Sequence, residues 1–156
     1  MAKILIVFTA GLLAGFVLTL LSIIIVIPGK LFVEQESPVG FNETVRALTE
    51  SAEANQWTVS HSYNLQATME KNGYDVDPVL VVSLCNPSHA NNILSNNSSR
   101  RISAMMPCRL AVYEKEGKTY TSVFNSRIMY PFLNRNDRKI LKATTNETIQ
   151  ILSKIH

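Results

Sequence analysis

The sequence has little of what usually marks an active site. It holds two cysteines, three histidines and one tryptophan in 156 residues. There is no C-x-x-C, and the 22 residues between Cys85 and Cys108 match no zinc-ligand spacing. No G-x-S-x-G, phosphate loop or G-x-G-x-x-G occurs, so hydrolase-elbow and nucleotide-binding readings find no motif. Ser88 and His89 are sequence neighbours, the wrong arrangement for a Ser–His pair on one helical turn. Asp75 and Asp77 flank a turn, and Glu114 and Glu116 sit at a hairpin tip, so all four read as solvated. Single-stranded nucleic acid needs a basic stripe studded with aromatic rings. None is present, and neither nucleic acid nor a cofactor is expected.

Acid is missing altogether from the first 30 residues, where Lys3 and Lys30 are the only charged side chains. Between them, residues 4–27 form an uncharged, mostly apolar run of 24. As a helix that run would extend about 36 Å at about 1.5 Å per residue, against a bilayer core of about 30 Å. Backbone groups in lipid must be satisfied internally, so a helix is the conformation expected. The run is too long for a signal-peptide core and ends in Ile27-Pro28-Gly29-Lys30 without a small-x-small cleavage pattern. The sequence therefore predicts a single-pass signal anchor over 1–30 in the cell membrane, with 31–156 as one domain on the exported side. Gly11, Ala14, Gly15, Thr19 and Ser22 share a stripe of small residues. Such a stripe lets helices approach closely. The partners expected are the lipid bilayer and another transmembrane helix, from a second copy or a larger complex.

Charge is uneven along the domain. Residues 31–99 carry two bases and eight acids, and 100–156 carry eleven bases and four acids. Two halves that fold together would compensate each other.

Local patterns predict α+β architecture. A short strand over 30–36 ends at Ser37-Pro38, and Asn42 can cap a helix over 42–55 whose inner face is Phe41, Val45, Leu48 and Ala52. A strand over 57–63 and a helical piece over 65–71 stop at Asn72-Gly73. The apolar run 79–85 reads as a buried strand. Asn86-Pro87 is an N-cap followed by proline at the first helical position, opening a helix over 87–95. Two alternating strands flank a turn at Lys115-Glu116-Gly117-Lys118. A short helix over 126–133 follows, and Asn136 can cap a final helix over 137–154 with Leu141, Ile149, Leu152 and Ile155 inside. The fold class expected is a two-layer sandwich of helices on one mostly antiparallel sheet, preceded by one transmembrane helix.

Three stretches, Gly40-Phe41-Asn-Glu-Thr-Val-Arg-Ala-Leu48, Cys85-Asn86-Pro87 and Met106-Pro107-Cys108-Arg109-Leu-Ala-Val-Tyr-Glu114, resemble a prokaryotic family catalogued as domain of unknown function number 302. The resemblance runs from about residue 38 to 152. It implies a compact α+β fold, often dimeric, with no established activity. One branch of that family keeps Asn-Pro and Pro-x-Arg but replaces both thiols; this sequence resembles the cysteine-bearing branch.

The residues themselves point to one corner. Cys85 ends a strand just before a helix N-terminus, where unpaired amides favour negative sulfur. Cys108 begins a later strand beside Arg109. Three outcomes are open: a reversible disulfide, a soft-metal site completed by His89 or His61, or two inert buried thiols. Asn86 and Arg109 offer a small-anion site at the same helix start. Two functions follow from this. One is a membrane-anchored, non-enzymatic accessory or interaction protein; the other is a thiol redox, soft-metal or small-anion binding protein.

Overall fold

The computed structural model describes residues 2–26 and 28–155, with the side chains of residues 2, 4, 5, 23, 26 and 28 outside that description. Met1, Ile27 and His156 lie outside the described residues. The chain divides into two compact units, Met1–Phe32 and Val33–His156.

The first unit holds helix α1 (Ala2–Val26) and the short α2 (Pro28–Leu31). Here the expected transmembrane helix is corrected: among the described residues, no helix is long and apolar enough to cross a membrane. The signal anchor, its orientation and the single-pass location rested on that span and lose their support with it.

The second unit is α+β. Strand β1 (Phe32–Glu36) leads to α3 (Phe41–Ala54), β2 (Thr58–Asn64) and the short α4 (Leu65–Glu70). Strand β3 (Val79–Cys85) and α5 (Pro87–Leu94) follow, then a 3-10 segment at Arg100–Met105. The hairpin β4 (Cys108–Lys115) and β5 (Lys118–Phe124), a second 3-10 segment at Ser126–Phe132, and α6 (Arg135–Ser153) complete it. The sheet has five strands in the order β1-β5-β4-β3-β2, antiparallel along the β2–β3–β4–β5 ladder.

Alternation puts Val82 and Leu84 of β3 and Leu110 and Val112 of β4 on one face, all with no exposed area. Leu48 and Ala52 of α3 and Ile151 and Leu152 of α6 join them in one core. The Ser51 hydroxyl donates to the Ile151 carbonyl at 3.0 Å, tying the two helices together.

Helix ends obey local chemistry, though not always at the expected residue. Asn86 caps α5 as expected, its Oδ1 accepting from the amides of Ser88 (3.0 Å) and His89 (3.3 Å). Helix α6 is capped by Asn134, two residues before the expected Asn136. Helix α3 starts at Gly40 without a side-chain cap, so Asn42 lies inside the helix. At its other end, Gln56 N–H donates to Glu53 and Trp57 N–H to Ala52, a Schellman closure that holds Gln56 at φ 63°. The hairpin turn sets Glu116 at φ 54° and Gly117 at φ 75°, the signs of a type I′ turn.

Candidate functional site

At the end of the sheet opposite that hairpin turn, β3 runs out at Cys85 while β4 begins at Cys108. Leu84 pairs with Cys108 across the ladder, so the two cysteines belong to neighbouring strands one register step apart. Helix α5 leaves this end directly, and α6 crosses it. The space between them is a cavity of about 430 Å³. Its wall includes all five residues singled out in this corner of the sequence: Cys85, Asn86, His89, Cys108 and Arg109. Much of the remaining wall is apolar, from Trp57, Ile93, Met105, Met106, Leu141 and Ile149.

Both cysteines are free thiols, and both are half-buried. Burial pushes the Cys108 thiol up to about 11, the charge of Cys85 nearby adds to the rise, and a hydrogen bond with Thr148 works against it. Cys108 is therefore a protonated thiol at neutral pH. No hydrogen bond or ion pair among the described residues engages the Arg109 guanidinium.

The residue that organises the corner is Glu147 of α6, which sequence reasoning missed. Its Oε1 lies 2.8 Å from His89 Nε2. Its Oε2 accepts from the Trp57 indole N–H at 3.0 Å and from Asn86 Nδ2 at 3.4 Å. The Trp57 and His89 rings are neighbours, tilted by 58° with centroids 6.2 Å apart. One carboxylate of α6 thus fixes a histidine and the cap of α5 together with a tryptophan from the connection between α3 and β2.

That arrangement redistributes the expected roles. The first free amides of α5 are taken by Asn86, and Asn86 is itself held by Glu147, so Asn86 is a positioning residue here. The helix start already carries a protein carboxylate, which separates Asn86 from Arg109 as a joint anion site. His89 Nε2 is committed to Glu147. Among the described residues, no group of three or more His, Cys, Asp or Glu side chains is placed to hold a metal ion. His61 is elsewhere, exposed on β2 and stacked on Tyr63 with centroids 5.9 Å apart.

The stripe on α1 belongs to the first unit. Gly11 and Gly15 have nothing within 4 Å of an added Cβ. The hydroxyls of Thr19 and Ser22 donate to the carbonyls of Gly15 and Leu18 in their own helix, both at 2.8 Å.

The inner face expected for α6 holds at Leu152 and Ile155, which are buried in the core, and departs from the expectation nearer the cavity. Thr144, Thr145 and Thr148 are buried, whereas Leu141 and Ile149 are only half-buried. Threonine oxygens bonded to the preceding turn, Thr145 to Leu141 at 2.7 Å and Thr148 to Thr144 at 2.9 Å, make that burial tolerable. A polar stripe at helical spacing was the available signal. At the start of α6, buried Asp137 accepts from Ser99 at 2.5 Å and from Asn134 Nδ2 at 2.7 Å, pinning the Asn/Ser loop.

The family model described as domain of unknown function DUF302 matches residues 33–155, and the chain belongs to that family. No curated protein matches the chain. Among solved structures, an uncharacterized conserved protein DUF302 from Bacillus stearothermophilus is similar, with TM-score 0.74 at 20% identity. The match covers 81% of this chain and 98% of that one, and at such identity it shows the shared fold alone.

Proposed function

With membership of that family as the premise, we propose that the domain works as a dithiol module, with Cys85 and Cys108 cycling between two thiols and one disulfide inside the cavity. The observation that carries this reading is the convergence of two free, half-buried thiols on adjoining strands in one cavity wall. A non-enzymatic accessory role would leave that convergence unused. A metal role finds no group of three or more His, Cys, Asp or Glu side chains placed for it among the described residues.

The chemistry balances with a small disulfide as oxidant. The Cys85 sulfur, as thiolate, attacks one sulfur of the small disulfide, whose S–S bond breaks and releases one small thiolate. Cys108 then loses its proton and attacks the Cys85 sulfur, releasing the second small thiolate. Two electrons pass from the protein dithiol to the small disulfide, and the two protein protons end on two small thiols. The raised Cys108 thiol suits the second, resolving position, because it stays protonated until the mixed disulfide lies beside it.

Treatment of the reduced protein with oxidised glutathione, followed by intact mass measurement without reductant, tests the reading. The expected product has lost two hydrogen atoms, carries no adduct, and reverts with a thiol reductant. Two thiols that persist, or glutathione adducts that never resolve, would overturn it.

A further inference from the structure

The wall of the cavity says more about what enters than the thiols do. We infer that the small disulfide exchanging with Cys85 and Cys108 has an apolar body and a carboxylate, and that Arg109 binds the carboxylate; this rests on the dithiol reading above. Three observations carry it. The wall is largely apolar, and its lining includes the flexible thioethers of Met105 and Met106 and the ring of Trp57, a surface that accommodates aliphatic chains. Its lining residues include no aspartate or glutamate, and Arg109 is the one side chain among them with a fixed charge. That guanidinium is exposed and no hydrogen bond or ion pair among the described residues engages it, so its fork of donors is open to an incoming carboxylate, the group whose geometry it matches.

Polar groups of the wall fit a single anionic end. Thr144 is nine-tenths buried, and no hydrogen bond from its hydroxyl occurs among the described residues. The hydroxyls of Thr145 and Thr148 donate to carbonyls of their own helix, and their oxygens also meet Ser126 and Cys108 respectively. Glu147 faces Asn86, His89 and Trp57, so its charge is already met and need not repel an incoming anion. A cationic disulfide would find no counter-charge on this wall.

The test measures oxidation of the reduced protein by three disulfides: lipoic acid, its neutral amide, and cystamine, which is cationic. Lipoic acid is expected to react fastest and to saturate, and Arg109→Gln is expected to slow it roughly tenfold or more while leaving the amide unchanged. Equal rates for acid and amide, with the protein disulfide still forming, would overturn the inference and leave the dithiol reading standing. Two inert thiols with all three reagents would instead overturn the dithiol reading. Binding of decanoate to the Cys85→Ser/Cys108→Ser protein, followed by equilibrium dialysis, then decides the carboxylate preference alone: a weakened affinity in Arg109→Gln supports it, and no binding contradicts it.

Discussion

The two ends of the sheet are built from the same two strands of the hairpin and yet behave as opposites. At the turn end, Tyr113 and Tyr120 stack with centroids 5.9 Å apart, and Lys115 lies 5.1 Å from the Tyr120 ring. Lys118 pairs with Glu36 at 2.9 Å, Lys115 with Glu34 at 3.6 Å, and the Tyr113 hydroxyl donates to Glu34. All of that charge meets water. At the cavity end, one carboxylate is shared among three groups, two from the start of α5 and one from the connection after α3, and two thiols sit half-buried in the same corner. The first arrangement is held by solvent-screened pairs between neighbouring strands; the second depends on α3, α5 and α6 all being in place. Exposed ion pairs contribute little, whereas removing the acceptor of partly buried donors leaves those donors unsatisfied. The difference in burial therefore decides which end carries stability and chemistry.

The largest test of that contrast is Glu147→Ala. It strips the acceptor from Trp57, His89 and Asn86 together, and urea unfolding is expected to show a loss of about 2–3 kcal/mol. The matching change at the turn end, Glu36→Ala, is expected to leave the urea midpoint within scatter in moderate salt, because its pair with Lys118 is fully exposed.

A second test uses pH. The folded state holds the Cys108 proton more tightly than the unfolded chain does, so this contribution is complete below about 9 and is lost as pH rises toward about 11. Stability is expected to fall across that window by on the order of 2 kcal/mol, and Cys108→Ser should flatten the decline. In the same vein, alkylation of Cys108 near neutral pH, followed by peptide mass mapping, should run roughly a hundredfold slower than alkylation of an unperturbed thiol. A Cys108 that reacts at the ordinary rate would remove the asymmetry between the ends.

The smallest effect concerns a turn next to the site. Gln56 closes α3 at φ 63° immediately before Trp57, a left-handed conformation that glycine adopts without strain. Gln56→Gly is expected to gain about 1 kcal/mol or less in thermal unfolding, without moving the Trp57 fluorescence.

Local chemistry explains what the sequence revealed. Strand β3 and the Asn86-Pro87 helix start were legible because an apolar run, a cap and a proline act within a few residues of one another. That also placed Cys85, His89, Cys108 and Arg109 at one corner before any coordinates. Glu147 was not legible: it meets His89 across 58 residues of chain, from a helix whose buried face mixes three threonines and Asp137 with Ile151 and Leu152. Caps at Asn134 and Gly40, where Asn136 and Asn42 were expected, show that several nearby polar residues leave a helix start ambiguous by two positions. The apolar run near the start of the chain misled in a different way. Its composition promised a membrane span that no described helix is long and apolar enough to supply.

The central claim is that Cys85 and Cys108 act as one couple. Its most direct measurement is the count of reactive thiols in the protein equilibrated across a series of glutathione redox buffers. The account predicts that both thiols disappear together in one two-electron transition, with no glutathione retained on the protein. Loss of one thiol without the other, or two thiols that persist through the most oxidising buffer, would contradict it.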